Sequence, residues 1–311
     1  MIDQAAHPAD TQAMEAALRR DLVRGDAAAA SALPVLRYLV AADQHAAFSE
    51  EILARVRGIL ADIAGQLLDA LIGSADRRAH APEEIAVLTR AFLDEPVLLA
   101  HVHGAALEWQ LTERLQDRIG LDPVAAPLVQ DRAIVGDEAA RGFLAAQARW
   151  CNAQRRMALP LAELPDAVLE AVLVILRTLV GAEPTLSERA RAVEAEARRD
   201  HAAASSRLAW AGRLAADLPP EATLSIAQAG VALFLTALSL RSGEARDVAV
   251  MATQPGQQAR LALSLLATQL PAALVEEQVA AIHSTADIPL GLGGIDAWRA
   301  ASILSNGAVA P

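Results

Sequence analysis

The chain has no lysine, a single cysteine and a single tyrosine, and aromatic residues make up only 3% of its 311 positions. All 27 basic residues are therefore arginine, which excludes lysine Schiff-base chemistry and a phosphate-loop lysine. The lone Cys151 excludes an intrachain disulfide. A catalytic thiolate needs a histidine partner and a depressed pKa, and no such signature surrounds Cys151, so it reads as a small core residue. With so few aromatics the core must be packed from Leu, Val, Ile and Ala, whose small side chains let helices approach closely. An excess of positive charge is also missing. The net charge is -11, and no basic face is visible to release counterions from a phosphate backbone, so nucleic acid is excluded as a partner. Residues 1–21 lack a basic stretch followed by an apolar run, so no secretory signal is expected and a cytoplasmic location is. One uncharged stretch, Thr223 to Leu240, approaches the length that spans a bilayer. Ser225, Gln228, Thr236 and Ser239 dilute it, and it reads as a buried core helix, not a membrane span.

What the chain does have is alanine, about a quarter of all residues, the best helix former and one that loses no side-chain entropy on burial. Apolar residues recur with helical, never strand, periodicity in about a dozen segments punctuated by Pro, Gly and Asp. The expected class is all-α: a HEAT-like or irregular α-solenoid, or stacked antiparallel helix pairs. A first helix is expected to stop near Gly25, with Asp26 opening a second that Pro34 kinks or restarts. Ile52, Val56, Ile59, Ile63, Leu67 and Leu71 fall on one face of the next helix. Pro82 and Pro96 sit at first helical positions. The apolar helix opened by Pro165-Asp166 and closed by Gly181 is expected to be buried on most sides. A long charged helix over 187–217 follows, with alternating Glu and Arg. These features suggest a helical domain over 1–181, a charged connecting helix within 182–220 and a helical subdomain over 221–311.

Two segments carry a resemblance: AQARWCNAQRRMALPLAELP from Ala146 to Pro165, and VALFLTALSLRSGEARDVAVMATQPGQQARLALSLLATQLPAALVEEQ from Val231 to Gln278. The second, a helix, a Ser-Gly turn, a short helix, a Pro-Gly turn and an Ala/Leu helix, resembles the C-terminal region of an uncharacterised alphaproteobacterial family with HEAT-like helical repeats. The resemblance implies an α-helical repeat protein and transfers no catalytic residue, because that family has no assigned activity.

Candidate sites are few. Arg155, Arg156 and Met157 are the expected partner contact. A paired arginine at a helix C-terminus suits the macrodipole, and the same pair can anchor a carboxylate or phosphate on a partner. His101 and His103, two residues apart on a helix, point to different faces and cannot share a metal. Either could accept phosphate if exposed on a bundle, as in histidine phosphotransfer domains. Glu196 and Asp200 share a face at i,i+4 beside His201, although no Glu-x-x-His pair of the di-iron kind is present. Gly291, Gly293 and Gly294 lack the preceding strand of a dinucleotide fingerprint. No catalytic residue, metal site or cofactor is therefore expected. The expected function is binding or scaffolding of another protein, through a groove or concave face between helix pairs. The alternatives are a phosphotransfer adaptor, or an enzyme whose pocket gathers residues from separate helices.

Overall fold

The computed structural model describes residues 8–42, 50–73, 82–181, 183–203, 206–283 and 292–307. These are all-α, with no strand among the described residues. In chain order the helices are α1 (Pro8–Ala42), α2 (Glu50–Ile72), α3 (Pro82–Leu93), α4 (Pro96–Ile119), α5 (Pro127–Ile134), α6 (Glu138–Gln154), α7 (Asp166–Val180), α8 (Pro184–Ala203), α9 (Arg207–Asp217), α10 (Pro220–Thr223), α11 (Ile226–Ser242), α12 (Arg246–Met251), α13 (Gln258–Ala267), α14 (Ala272–Ile282) and α15 (Ala297–Gly307). Single 3₁₀ turns lie at Leu161–Glu163 and Leu292–Gly294. No helix among the described residues is long and apolar enough to cross a membrane. The chain groups into two compact units that cut across the sequential boundaries at 181 and 220. Unit 1 is Met1–Ser31, Gln110–Arg141 and Ala211–Pro311; unit 2 is Ala32–Trp109 and Gly142–Trp210.

Unit 1 is organised around α11, the uncharged stretch. Its residues from Ala229 to Leu238 are all buried, and it packs on α5, α10, α12 and α13, while α13 carries α14 and α15. The orphan backbone groups at helix ends find side chains. Gln278 Oε1 accepts from the Ile226 amide at 2.8 Å, and Arg241 Nη2 donates to the Ala215 and Leu218 carbonyls at the end of α9, each at 2.8 Å. The expected stop at Gly25 is corrected here: α1 runs unbroken through Gly25 and Pro34. Gly25 serves close approach. A Cβ there would meet Gln257 Oε1 at 2.9 Å and the Gly256 carbonyl at 3.1 Å, and Gln257 Nε2 donates to the Gly25 carbonyl at 2.6 Å. Asp26 caps no new helix; it pairs with Arg260 at 2.7 Å, and Arg260 also bonds Glu244. Pro34 is exposed.

In unit 2, α2 packs on α3, α3 on α7, α7 on α8 and α8 back on α2, so the four helices close a ring. The stripe read from α2 points inward: Ile52, Val56, Ile59, Ile63 and Leu67 are buried. Helix α7 departs from expectation. It buries Val168, Leu169, Val172, Leu173 and Leu176, but Val174 and Leu179 are exposed. Among the described helices, α3 and α8 are the ones that cover it appreciably, so apolarity all round does not here mean burial all round. The charged stretch is two helices, α8 and α9, with Ser206 Oγ accepting from the Ala209 amide at 3.2 Å as an N-cap. The ion pair within α8, Glu194 with Arg198 at 2.9 Å, extends onto α7. There Arg177 reaches Glu194 at 2.8 Å and Arg198 bonds Glu170. Arg198 and then Arg177 hold the Glu170 carboxyl below the usual carboxylate range.

A clamped connector on an arginine–tryptophan stack

The segment between α6 and α7, residues 155–165, is fastened from both sides within unit 2. From α2, Asp62 Oδ2 accepts from the Leu159 amide at 3.1 Å. Gln66 donates to the Leu159 carbonyl at 2.8 Å and accepts from the Leu161 amide at 3.1 Å. One turn before Ile59, Arg55 Nη1 donates to the Gln154 carbonyl at 2.7 Å, capping the end of α6. From the other side, Glu163 Oε2 accepts from the Arg207 amide at 3.0 Å, and His201 Nε2 lies 2.8 Å from the Leu164 carbonyl. A carbonyl can only accept, so Nε2 carries the proton there. Met157 adopts a left-handed conformation at φ 53° and rests against α2 at Gly58, where a Cβ would lie 2.7 Å from the Met157 Cβ.

Beneath the connector lies a run of buried polar and aromatic side chains. The Arg55 guanidinium sits 5.4 Å over Trp109, Trp109 meets Trp150 edge-on at 5.8 Å, and Arg207 lies 3.9 Å over Trp150. The order Arg–Trp–Trp–Arg places each cation on an aromatic face and the two rings at the T-shaped angle their quadrupoles favour. Arg207 is matched in charge by Glu108, through bonds of 2.5 and 3.2 Å, and it also donates to Gln147 Oε1 at 3.2 Å. Gln147 in turn reaches the Cys151 sulfur at 3.6 Å. Arg55, Glu108, Trp109, Gln147, Trp150, Cys151 and Arg207 are all buried. The group underlies the connector with the carboxylate and both guanidinium groups withheld from solvent.

The sequence-derived candidates fall around this support. Arg155 and Arg156 are exposed at the end of α6. Arg155 donates to Asn152 Oδ1 at 3.2 Å, and among the described residues no ion pair engages either arginine. Met157 is half-buried. His103 is 3% exposed, and burial pushes its pKa down to about 4, so the ring is neutral at pH 7 and enclosed. His101 is half-buried. Glu196 and Asp200 are exposed, and among the described residues no three His, Cys, Asp or Glu side chains are grouped to hold a metal ion. Gly293 and Gly294 form a 3₁₀ turn, and Gly291 lies outside the described residues.

A surface cleft of about 450 Å³ opens beside the connector, lined by Asp166, Ala167, Leu169, Glu170, Arg198 and His201. Its charged groups largely answer one another. Glu170 bonds Arg198 and Arg177, and His201 Nδ1 faces Asp166 at 3.5 Å.

No family model, curated protein or solved structure matches the chain. Site and fold therefore stand on geometry.

Sequence reasoning did not find Glu108, Gln147, Arg207, Arg55, Asp62 or Gln66. The signal for Glu108 was available: a carboxylate directly before Trp109 in the apolar run LLAHVHGAALEWQ sits on a face that must be buried, and a buried charge requires a partner. Which arginine answers it, 99 positions away, has no local signature.

Proposed function

We propose that this protein is a docking module for another protein, and that Arg155 and Arg156 on the clamped connector of unit 2 meet a carboxylate-bearing segment of that partner. The observation supporting this reading is the combination of an exposed arginine pair, free of ion pairs among the described residues, with a backbone held by Arg55, Asp62 and Gln66. With the backbone already held, only the two side chains are ordered on binding, and their guanidinium forks match carboxylates two oxygens at a time. The resemblance of residues 146–165 to a family with HEAT-like helical repeats is consistent with this reading. The single cysteine, buried and outside any intrachain disulfide, fits a reducing compartment such as the cytoplasm. A phosphotransfer role at His103 has no support from its enclosed ring.

The test is affinity capture with quantitative mass spectrometry, comparing the native chain with the Arg155→Glu/Arg156→Glu double variant, followed by reconstitution with the purified partner. Charge reversal is expected to weaken the reconstituted complex at least tenfold and leave thermal stability unchanged, since both side chains are exposed. Equal affinity for the two proteins would refute the reading.

A further inference from the structure

The part of α6 that lies in unit 2 has two distinct sides. Phe143, Ala146, Trp150 and Ala153 are buried, whereas Ala145, Arg149 and Asn152 are exposed, as are Arg155 and Arg156 just past its end. The last turn tightens without breaking: the Arg155 amide donates to the Cys151 carbonyl at 3.0 Å and the Arg156 amide to that of Ala153 at 2.9 Å. At 100° per residue, Ala145, Arg149, Asn152 and Arg156 fall within about 60° of one another on the exposed side. Their intervals of four, three and four residues are those by which one helix keeps a row of side chains against another. Arg149 and Arg156 stand about 10.5 Å apart along the axis. Arg155 lies to the side of the row and donates to Asn152 Oδ1, which leaves the Asn152 amide hydrogens to face outward. The row is of one sign. Between Glu138 and Glu163 the sequence holds four arginines and no carboxylate, in a chain whose net charge is -11. The helix dipole accounts for cations in the last turn, but Arg149 is more than a turn from the end of α6, where that effect has faded. Among the described residues no ion pair engages Arg149.

We propose that the exposed row of α6 seats an acidic helix of the partner, whose carboxylates, seven residues apart, face Arg149 and Arg156 together. This inference rests on the docking reading and extends it from the connector to the face of α6. Two carboxylates at that interval on a helix are also about 10.5 Å apart, so both arginine forks are met in one register. Asn152, between them, offers hydrogen-bond donors to a polar side chain on the facing helix, and the small Ala145 lets the two backbones approach at the far end of the row. The partner class that fits is a protein segment with one acidic helical face.

The probe is an alanine-rich helical peptide with glutamates at the same intervals of four, three and four, titrated into the full chain at low ionic strength. The Nε–Hε NMR resonances of Arg149, Arg155 and Arg156 are followed. Saturable shifts at Arg149 and Arg156 are expected, with about fivefold tighter binding than a peptide of identical composition whose glutamates are spread around the helix. Arg149→Gln is expected to weaken binding about threefold without moving the melting temperature, since the side chain is exposed. Absence of saturable shifts, equal affinity for the two peptides, or indifference to Arg149→Gln would overturn the proposal. So would self-association of the chain, read by sedimentation velocity and abolished by Arg149→Gln, which would put a second copy on this row. In the reconstituted complex, Arg149→Glu is expected to cost about tenfold in affinity. A loss on reversing Arg155 and Arg156 but none with Arg149→Glu would overturn this inference and leave the docking reading intact; no loss with either would overturn both.

Discussion

Removing the carboxylate of Glu108 isolates a guanidinium in the interior of unit 2, and the structure sets the size of the effect. The side chains of Arg207 and Glu108 are 5% and 1% exposed, so neither charge recovers hydration when its partner goes. Arg207 would keep Gln147 Oε1 and the face of Trp150, which provide a hydrogen bond and a cation–π contact but no compensating charge. A buried ion left alone in this way costs about 3–5 kcal/mol, whereas replacing both ions by apolar side chains of similar volume is close to neutral. The cycle is Glu108→Leu, Arg207→Met and the double variant, measured by urea unfolding. Three of the four tryptophans, Trp109, Trp150 and Trp210, belong to unit 2, so fluorescence reports chiefly on this unit, and calorimetry provides a second probe. Each single variant is expected to lose about 3–5 kcal/mol and the double variant no more than about 2 kcal/mol, a coupling far outside additivity. Single variants that lose less than about 1 kcal/mol would refute the idea that this pair neutralises itself in a dry interior.

Two further outcomes follow from the same unit. His103 is neutral in the folded chain down to about pH 4, while in the unfolded chain it protonates near 6.5. As pH falls through this window the unfolded state takes up the proton first, so stability is expected to drop between pH 6.5 and 4, by about 3 kcal/mol in total. His103→Leu should flatten that part of the stability–pH curve measured by urea unfolding, and an unchanged slope would rule His103 out as its source. Gly58→Ala forces a Cβ to within 2.7 Å of the Met157 Cβ and is expected to cost about 1–3 kcal/mol by overpacking. Met157→Gly, which suits the left-handed backbone there, should recover part of that loss in the double variant, as read by thermal unfolding.

Local chemistry made much of the fold legible. The proline-led starts of α3 and α4, the inward stripe of α2 and the Gly181 end of α7 (φ 66°) all follow from the backbone preferences of single residues and from helical period. Errors arose where tertiary contact overrode a local signal. Gly25 reads as a stop by propensity, but its missing Cβ is used by the Gln257 turn instead. The 187–217 stretch reads as one solvated helix, but Arg207 is drawn inward by Glu108 and begins a second helix. Of the site, the exposed arginines at 155 and 156 were readable because a helix end and its charge are local facts. The clamp was not. Asp62 and Gln66 lie on α2 some 95 positions from the amides they hold, and nothing at either end of such a bond encodes the other.

The scarcity of aromatics gives the arginine–tryptophan stack its meaning. A core built mainly from alanine and leucine packs closely but offers many nearly equivalent registers, because helices with small, similar side chains slide past one another at little cost. Two adjoining tryptophans flanked by two arginines, with Glu108 and Gln147 satisfying Arg207 and the Gln154 carbonyl accepting from Arg55, favour one register. Any slip of α6 against α2 or α9 would leave a charge or a carbonyl buried without a partner. The polar stack thus fixes the position of α6, and the end of α6 fixes where Arg155 and Arg156 stand. On this argument, specificity in the interior and placement of the exposed arginines are a single property, and a variant that replaces the whole stack by apolar residues should stay folded while its connector loses its defined position.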